Sequence, residues 1–183
     1  MSLSSKTRLG PGQRVLVNGA AGGIGMFVTQ LAVQAGAEVT AVASAANLGL
    51  LLRWGVARAV DYRQTDILSE GQRYDVIVDM SDRLTLSLVR PILTPRGLFV
   101  ATLPQPMQIL GGLLNNLVSP QRYAVLGRFP NTRSLTALAS EVAANHLDVV
   151  VGGSFALPDF ATAYAQTVAR KLPGKTVITM DPP

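Results

Sequence analysis

Short apolar runs of four to six residues alternate along this chain with stretches whose apolar positions recur at helical spacing. The runs predict strands over 14–18, 38–43, 57–60, 76–80, 98–102 and 123–126, with another over 176–180. They are continuous rather than alternating apolar and polar, as in parallel strands covered on both faces. Between them, Ile24, Phe27, Val28, Leu31, Ala32 and Ala35 fall at i, i+3, i+4, i+7, i+8 and i+11, and Gly36 follows where a left-handed cap ends a helix. Further helices are predicted over 48–54, closed by Gly55, and over 84–92, 135–145 and 158–170, the last opening on Pro158. Met107, Leu110, Leu114 and Leu117 form another stripe, expected to be core. The alternative is that it covers a cleft or a partner surface, because Gly111 and Gly112 weaken the helix.

Strand, helix, strand in this order predicts an α/β fold, a Rossmann-type doubly wound parallel sheet of about six strands with helices on both faces. The length of 183 residues suits one well-buried core, and 48% hydrophobic against 15% charged residues is a globular balance. Sixteen Lys and Arg against 11 Asp and Glu give a net charge of +5, but the cations are scattered and aromatics are only 5%. A groove for single-stranded nucleic acid needs both in one place, so nucleic acid is not an expected partner. No apolar stretch reaches the roughly 18 residues of a membrane span and no charged segment leads into an apolar one at the start, so the expected setting is cytoplasmic, away from membranes. Without cysteine, and with His146 alone near a helix end, no metal site is expected.

The chemistry concentrates at RVLVNGAAGGIG, residues 14–25, a strand running into a glycine turn and the first helix. Glycines there permit positive φ and let a diphosphate approach the backbone, while the helix start offers unpaired N–H groups to the phosphate. Gly22, Gly23 and Gly25 occupy the positions where those demands arise, so a dinucleotide is the expected ligand. Three patterns overlap on the segment. A short-chain dehydrogenase would pair a tyrosine with a lysine one turn later to set its proton donor. Four residues after Tyr62, Tyr74, Tyr123 and Tyr164 stand Asp66, Val78, Gly127 and Val168. A methyltransferase would place an acid where Asn18 ends the first strand.

The third pattern, with Ala20, Gly22 and Gly25 in the fingerprint positions, resembles the cofactor-binding part of the medium-chain dehydrogenase/reductases, in particular their zinc-free quinone oxidoreductase and enoyl reductase branch. The resemblance runs through PGQRVLVNGAAGGIGMFVTQLAVQAGAEVTAVAS, NLGLLLRWGVARAVDY, YDVIVDM, RGLFVATL and LPGKTVITM. It implies an oxidoreductase that passes a hydride from NADPH, or from NADH, to a quinone or an activated double bond. Ala20, Ala21, Gly22, Gly23, Ile24 and Gly25 would hold the diphosphate. Met80 and Ser81, with Thr102 and Leu103, would approach the nicotinamide end. Ser44 and Tyr62 would mark the NADP pocket. The basic residue that NADP-using members carry two positions after this serine is Ala46 here, which leaves Arg63, and more distantly Arg53, to meet the phosphate.

The resemblance implies no catalytic residue that can be named. Asp79 stands at a strand end but is expected to cap the following turn. It further implies a homodimer through the edge strand near Tyr123 and Leu126, and an amino-terminal substrate domain absent from this chain. Residues 1–8 are then a tag or linker remnant, 9–147 the NAD(P)-binding domain, and 148–183 a segment that returns to the absent domain. On that reading the chain alone is inactive. A non-catalytic dinucleotide-binding or assembly module is the alternative, motivated by Ala46.

Overall fold

The computed structural model describes residues 9–102, 105–126, 132–169 and 172–180. Six parallel strands form one sheet: β1 (Arg14–Asn18), β2 (Glu38–Ala43), β3 (Arg58–Asp61), β4 (Tyr74–Asp79), β5 (Leu93–Ala101) and β6 (Arg122–Val125). Their order is β3-β2-β1-β4-β5-β6, so the chain winds outward in one direction, returns to the centre and winds outward in the other. Val15, Val17, Val76 and Val78 face one side with Val39 and Ala41, while Leu16, Ile77, Phe99 and Tyr123 face the other. The two-residue period is present, but both faces are buried, which is why the strands read as unbroken apolar runs.

Helix α1 (Gly25–Gln34) covers the first face with Met26, Val28 and Ala32, joined by Leu51 of α2 (Leu48–Arg53) and by Trp54. Gly36 and Gly55 both take positive φ after these helices, as their positions predicted. The predicted 84–92 helix is shorter: α3 spans Leu86–Val89, with the Thr85 hydroxyl accepting from the Leu88 N–H, and Pro91 turns the chain into a 3-10 segment. Strand β5 begins five residues before the predicted start, its register with β4 shifting between Tyr74 and Val76.

Helix α4 (Pro106–Val118) corrects the core expectation for its stripe. Met107 and Leu117 are 75% and 82% exposed, and Leu110 and Leu114 are more than half exposed. The helix packs instead through Gly112, lying against the Tyr123 ring, and through Asn115 and Asn116. Asn116 Oδ1 accepts from the Tyr123 N–H at 2.7 Å and its Nδ2 donates to the Tyr123 carbonyl at 2.8 Å.

After α5 (Thr132–Ala143), His146 meets Glu141 at 3.0 Å, near the helix end as expected. A second lobe follows: β7 (Val151–Ala156), α6 (Phe160–Val168) and β8 (Lys175–Thr179), with β7 and β8 paired in parallel. Strand β7 was not predicted, because VGGSFA carries a glycine pair and no alternation. Among the described residues, hydrogen bonds tie the lobe to the sheet at two places. Asp148 exchanges backbone hydrogen bonds with the Gln30 side chain at 2.7 and 3.1 Å and accepts from Trp54 Nε1 at 3.1 Å. At the other, Gly174 pairs with Gly22 as a single parallel bridge, its N–H donating to the Ala21 carbonyl at 2.8 Å.

Candidate functional site

The winding reverses between β1 and β4, and in open α/β sheets the loops leaving such a pair of strands diverge to leave a crevice at their carboxyl ends. The glycine turn lies on one side of it. Gly19 N–H and Ala20 N–H both donate to the Val42 carbonyl, at 3.1 and 3.0 Å, anchoring the turn to β2. Positive φ falls on Gly19 (+79°), not on Gly22, Gly23 or Gly25 as the fingerprint suggested. The asparagine–glycine pair at the strand end was the signal for it. Gly25 serves close approach: a Cβ there would sit 2.1 Å from the Gly19 carbonyl oxygen, so only glycine lets α1 start against the turn. Gly22 and Ile24 stay exposed. Among the described residues the N–H groups of Ile24 and Gly25 meet no acceptor, and the first turn of α1 carries no acidic side chain. Two open donors at a helix head, without a carboxylate, fit a phosphate group.

Across the crevice, the loop after β4 is held by Asp79, which is 2% exposed. Its carboxylate accepts from Asn18 Nδ2 (3.0 Å), Ser81 N–H (3.0 Å), Ser81 Oγ (2.7 Å) and Leu84 N–H (3.0 Å). Four donors on one buried carboxylate make Asp79 the brace of this loop, in keeping with the capping role read from its position. Met80 N–H donates to the Asn18 carbonyl at 2.9 Å, and Asn18 Nδ2 also reaches Ser81 Oγ at 2.8 Å. Thr102 Oγ1 donates to the Asp79 carbonyl at 2.8 Å, joining the ends of β4 and β5. Leu103 lies outside the described residues.

At the ends of β2 and β3, Ser44 opens a 3-10 turn and accepts from Asn47 Nδ2 at 3.1 Å. Tyr62 N–H donates to the Ala43 carbonyl at 3.2 Å, which brings the tyrosine beside Ser44. The ring is 46% exposed, with the Arg63 guanidinium 5.6 Å from its centroid. Arg83, which sequence reasoning missed, reaches the same ring from the β4 loop at 5.9 Å. No spacing rule links positions 62 and 83; only the sheet order places them together. Arg53 is exposed at the end of α2. Among the described residues no group of three or more His, Cys, Asp or Glu side chains is placed to hold a metal, and no helix is long and apolar enough to cross a membrane.

Residues 54–178 match the family model described as zinc-binding dehydrogenase. The chain belongs to that family, as a cofactor-binding domain of the medium-chain dehydrogenase/reductases. Among curated relatives, the chloroplastic quinone-oxidoreductase QR1 of Triphysaria versicolor is 25% identical over 92% of this chain and 53% of its own length. The medium chain reductase pydE of Acremonium sp is 29% identical over 91% of this chain and 51% of its own. The quinone oxidoreductase from Coxiella burnetii superposes with a TM-score of 0.84 over 97% of this chain and 56% of that one, at 23% identity. The CurK enoyl reductase superposes at 0.76 over 98% and 58%, at 24%. The structural likenesses show the fold. The chain spans about half the length of the curated relatives it matches. Family membership makes the expected ligand of this domain an NAD(P) dinucleotide.

Proposed function

We propose that this chain is the NADPH-binding half of a zinc-independent reductase that passes a hydride to a quinone or to a double bond conjugated with a carbonyl. The observation that carries the reading is the convergence of Gly22 to Gly25, Ser44, Tyr62, Met80, Ser81 and Thr102 on one edge of the sheet. The names of similar proteins, quinone oxidoreductases and a medium chain reductase, support the substrate class.

When bound, a reduced nicotinamide supplies the hydride. The chain's own residues do the holding. Ile24 and Gly25 donate N–H groups to the diphosphate. The braced loop of Asp79, Met80 and Ser81, tied to Thr102, walls the crevice toward the nicotinamide end. Ser44, Tyr62, Arg63 and Arg83 form the corner for the adenosine ribose. Two guanidinium groups there favour a 2′-phosphate and stand in for the basic residue that Ala46 replaces. With no cysteine and a single histidine, this chain brings no thiolate zinc site of its own to that reaction.

The second lobe exposes Phe160 and Tyr164, stacked at 6.0 Å, together with Val168. This face suits the substrate domain of the whole protein, without which the chain binds cofactor and turns nothing over. The whole protein pairs through β6, the open edge of the sheet. The test follows NADPH absorbance with the whole protein against a panel of quinones and enones, beside calorimetric titration of NADPH and NADH. Turnover with tighter NADPH binding supports the reading. Tight NADPH binding with no turnover across the panel favours the non-catalytic module that Ala46 raises.

A further inference from the structure

Asn18 closes β1 directly opposite Asp79, which closes β4, and the residue after it, Gly19, opens the glycine turn. Its side-chain amide reaches over to the loop that follows β4, donating to Asp79 Oδ1 at 3.0 Å and to Ser81 Oγ at 2.8 Å. Ser81 Oγ is free to accept because its own proton goes to Asp79 Oδ1 at 2.7 Å. This order of donors and acceptors leaves the amide one orientation, since turned over it would set its oxygen against a carboxylate. The backbone makes the same junction: the Asn18 carbonyl accepts from the Met80 N–H at 2.9 Å, and a methyl group placed on Gly19 would lie 3.3 Å from Met80 Cβ. The other three donors to the Asp79 carboxylate, Ser81 N–H, Ser81 Oγ and Leu84 N–H, all belong to the loop itself. Among the described residues, Asn18 is therefore the only donor that ties this carboxylate to the strand carrying the glycine turn.

We infer that Asn18 is a positioning residue of the cofactor site: it holds the loop of Met80 and Ser81, at the nicotinamide end, at a fixed offset from the turn that takes the diphosphate. The inference rests on the cofactor reading and adds to it a residue that acts without touching the cofactor. Strand register alone does not set this offset, because the ladder between β1 and β4 ends at the Asn18 and Asp79 pair and the loops beyond it are irregular. Two hydrogen bonds from one amide, with both acceptors on the loop, fix direction as well as distance. A dinucleotide is held at both ends, so a change in the offset between the two walls weakens a ligand long enough to meet both. A ligand confined to the adenosine corner meets one wall and is indifferent to the change.

The test uses this chain as wild type, Asn18→Ala and Asn18→Ser, the last keeping one hydroxyl donor in place of two amide donors. Each is titrated calorimetrically with NADPH and NADH and with their adenosine halves, adenosine 2′,5′-bisphosphate and AMP, and the nicotinamide fluorescence of the bound dinucleotide is recorded at saturation. Asn18→Ala should lose about tenfold in affinity for the dinucleotides and no more than about twofold for the adenosine halves, with Asn18→Ser in between. Nicotinamide emission should be enhanced on binding to the wild type and fall back toward that of the free dinucleotide in Asn18→Ala. Unchanged dinucleotide affinity in Asn18→Ala, an equal loss for dinucleotides and adenosine halves, or the same emission from both proteins would overturn the inference and leave the cofactor reading intact. Where Asn18→Ala does not fold, Asn18→Ser decides by the same comparisons. A wild type that binds neither NADPH nor NADH would remove both readings together.

Discussion

The six-stranded sheet and the second lobe are built from the same units, parallel strands joined by a helix, yet they treat their apolar residues oppositely. In the sheet, Leu16, Val17, Ile77 and Val78 are fully buried between two layers. In the lobe, Phe160, Tyr164 and Val168 are each more than half exposed, and α6 contributes only Ala163 to a buried position. The sheet has enough layers to bury both faces of its strands; a two-stranded pair with one helix does not. Stability therefore resides in the sheet. The lobe's position depends on a few named ties: Asp148 to Gln30 and Trp54, and Gly174 to Ala21.

This contrast can be broken most sharply with paired truncations. Ile77→Ala should cost about 3 kcal/mol of unfolding free energy in urea, since it opens a cavity between two packed layers. Tyr164→Ser should change it by no more than about 0.5 kcal/mol. Similar losses from the two would mean that the lobe is as integral as the sheet.

Gly25→Ala tests the turn that carries the site. Its Cβ would meet the Gly19 carbonyl at 2.1 Å, and backbone has to move to admit it. A cost of about 2 kcal/mol is expected, together with loss of measurable dinucleotide binding. Retained affinity would mean that α1 can start elsewhere. At the Tyr62 corner the expected effect is smaller and selective. Replacing Arg63 and Arg83 together by Gln should weaken NADPH about tenfold, or about 1.4 kcal/mol, while leaving NADH nearly unchanged. An equal loss for both cofactors would place the arginines on a group the two share.

The smallest effect concerns Tyr123. Its hydroxyl is buried with no hydrogen-bond partner among the described residues, and burial raises the pKa of the phenol. Tyr123→Phe should be neutral or stabilise the chain by up to about 1 kcal/mol, read from the urea midpoint, because no partner is orphaned by the change.

Much of this architecture was legible in the amino-acid order. Strands buried on both faces leave continuous apolar runs, and β1 and β2 appear with the bounds their runs predicted. The glycine turn, Ser44 and Tyr62 were legible because each sits at a strand end, where sequence position fixes location in the sheet. The stripe on α4 misled. Periodicity reveals that a helix has an apolar face, but not whether anything covers it, and Met107 and Leu117 lie open. Strand β7 was hidden by Gly152 and Gly153, which carry no side chain to pattern. Arg83 could not be found locally, since it meets the Tyr62 ring only through the sheet order. The positive φ was misplaced within the turn: counting began at the fingerprint, whereas Gly19 precedes it.

The central claim is that NADPH binds along the carboxyl ends of β1 to β5. Backbone amide chemical-shift mapping of this chain during titration with NADPH tests it most directly. The account predicts the largest shifts at Gly22 to Gly25, at Ser44, Tyr62 and Arg63, and at Met80 and Ser81. Saturating NADPH with no shifts there, or with shifts confined to the exposed face of α4, would contradict it.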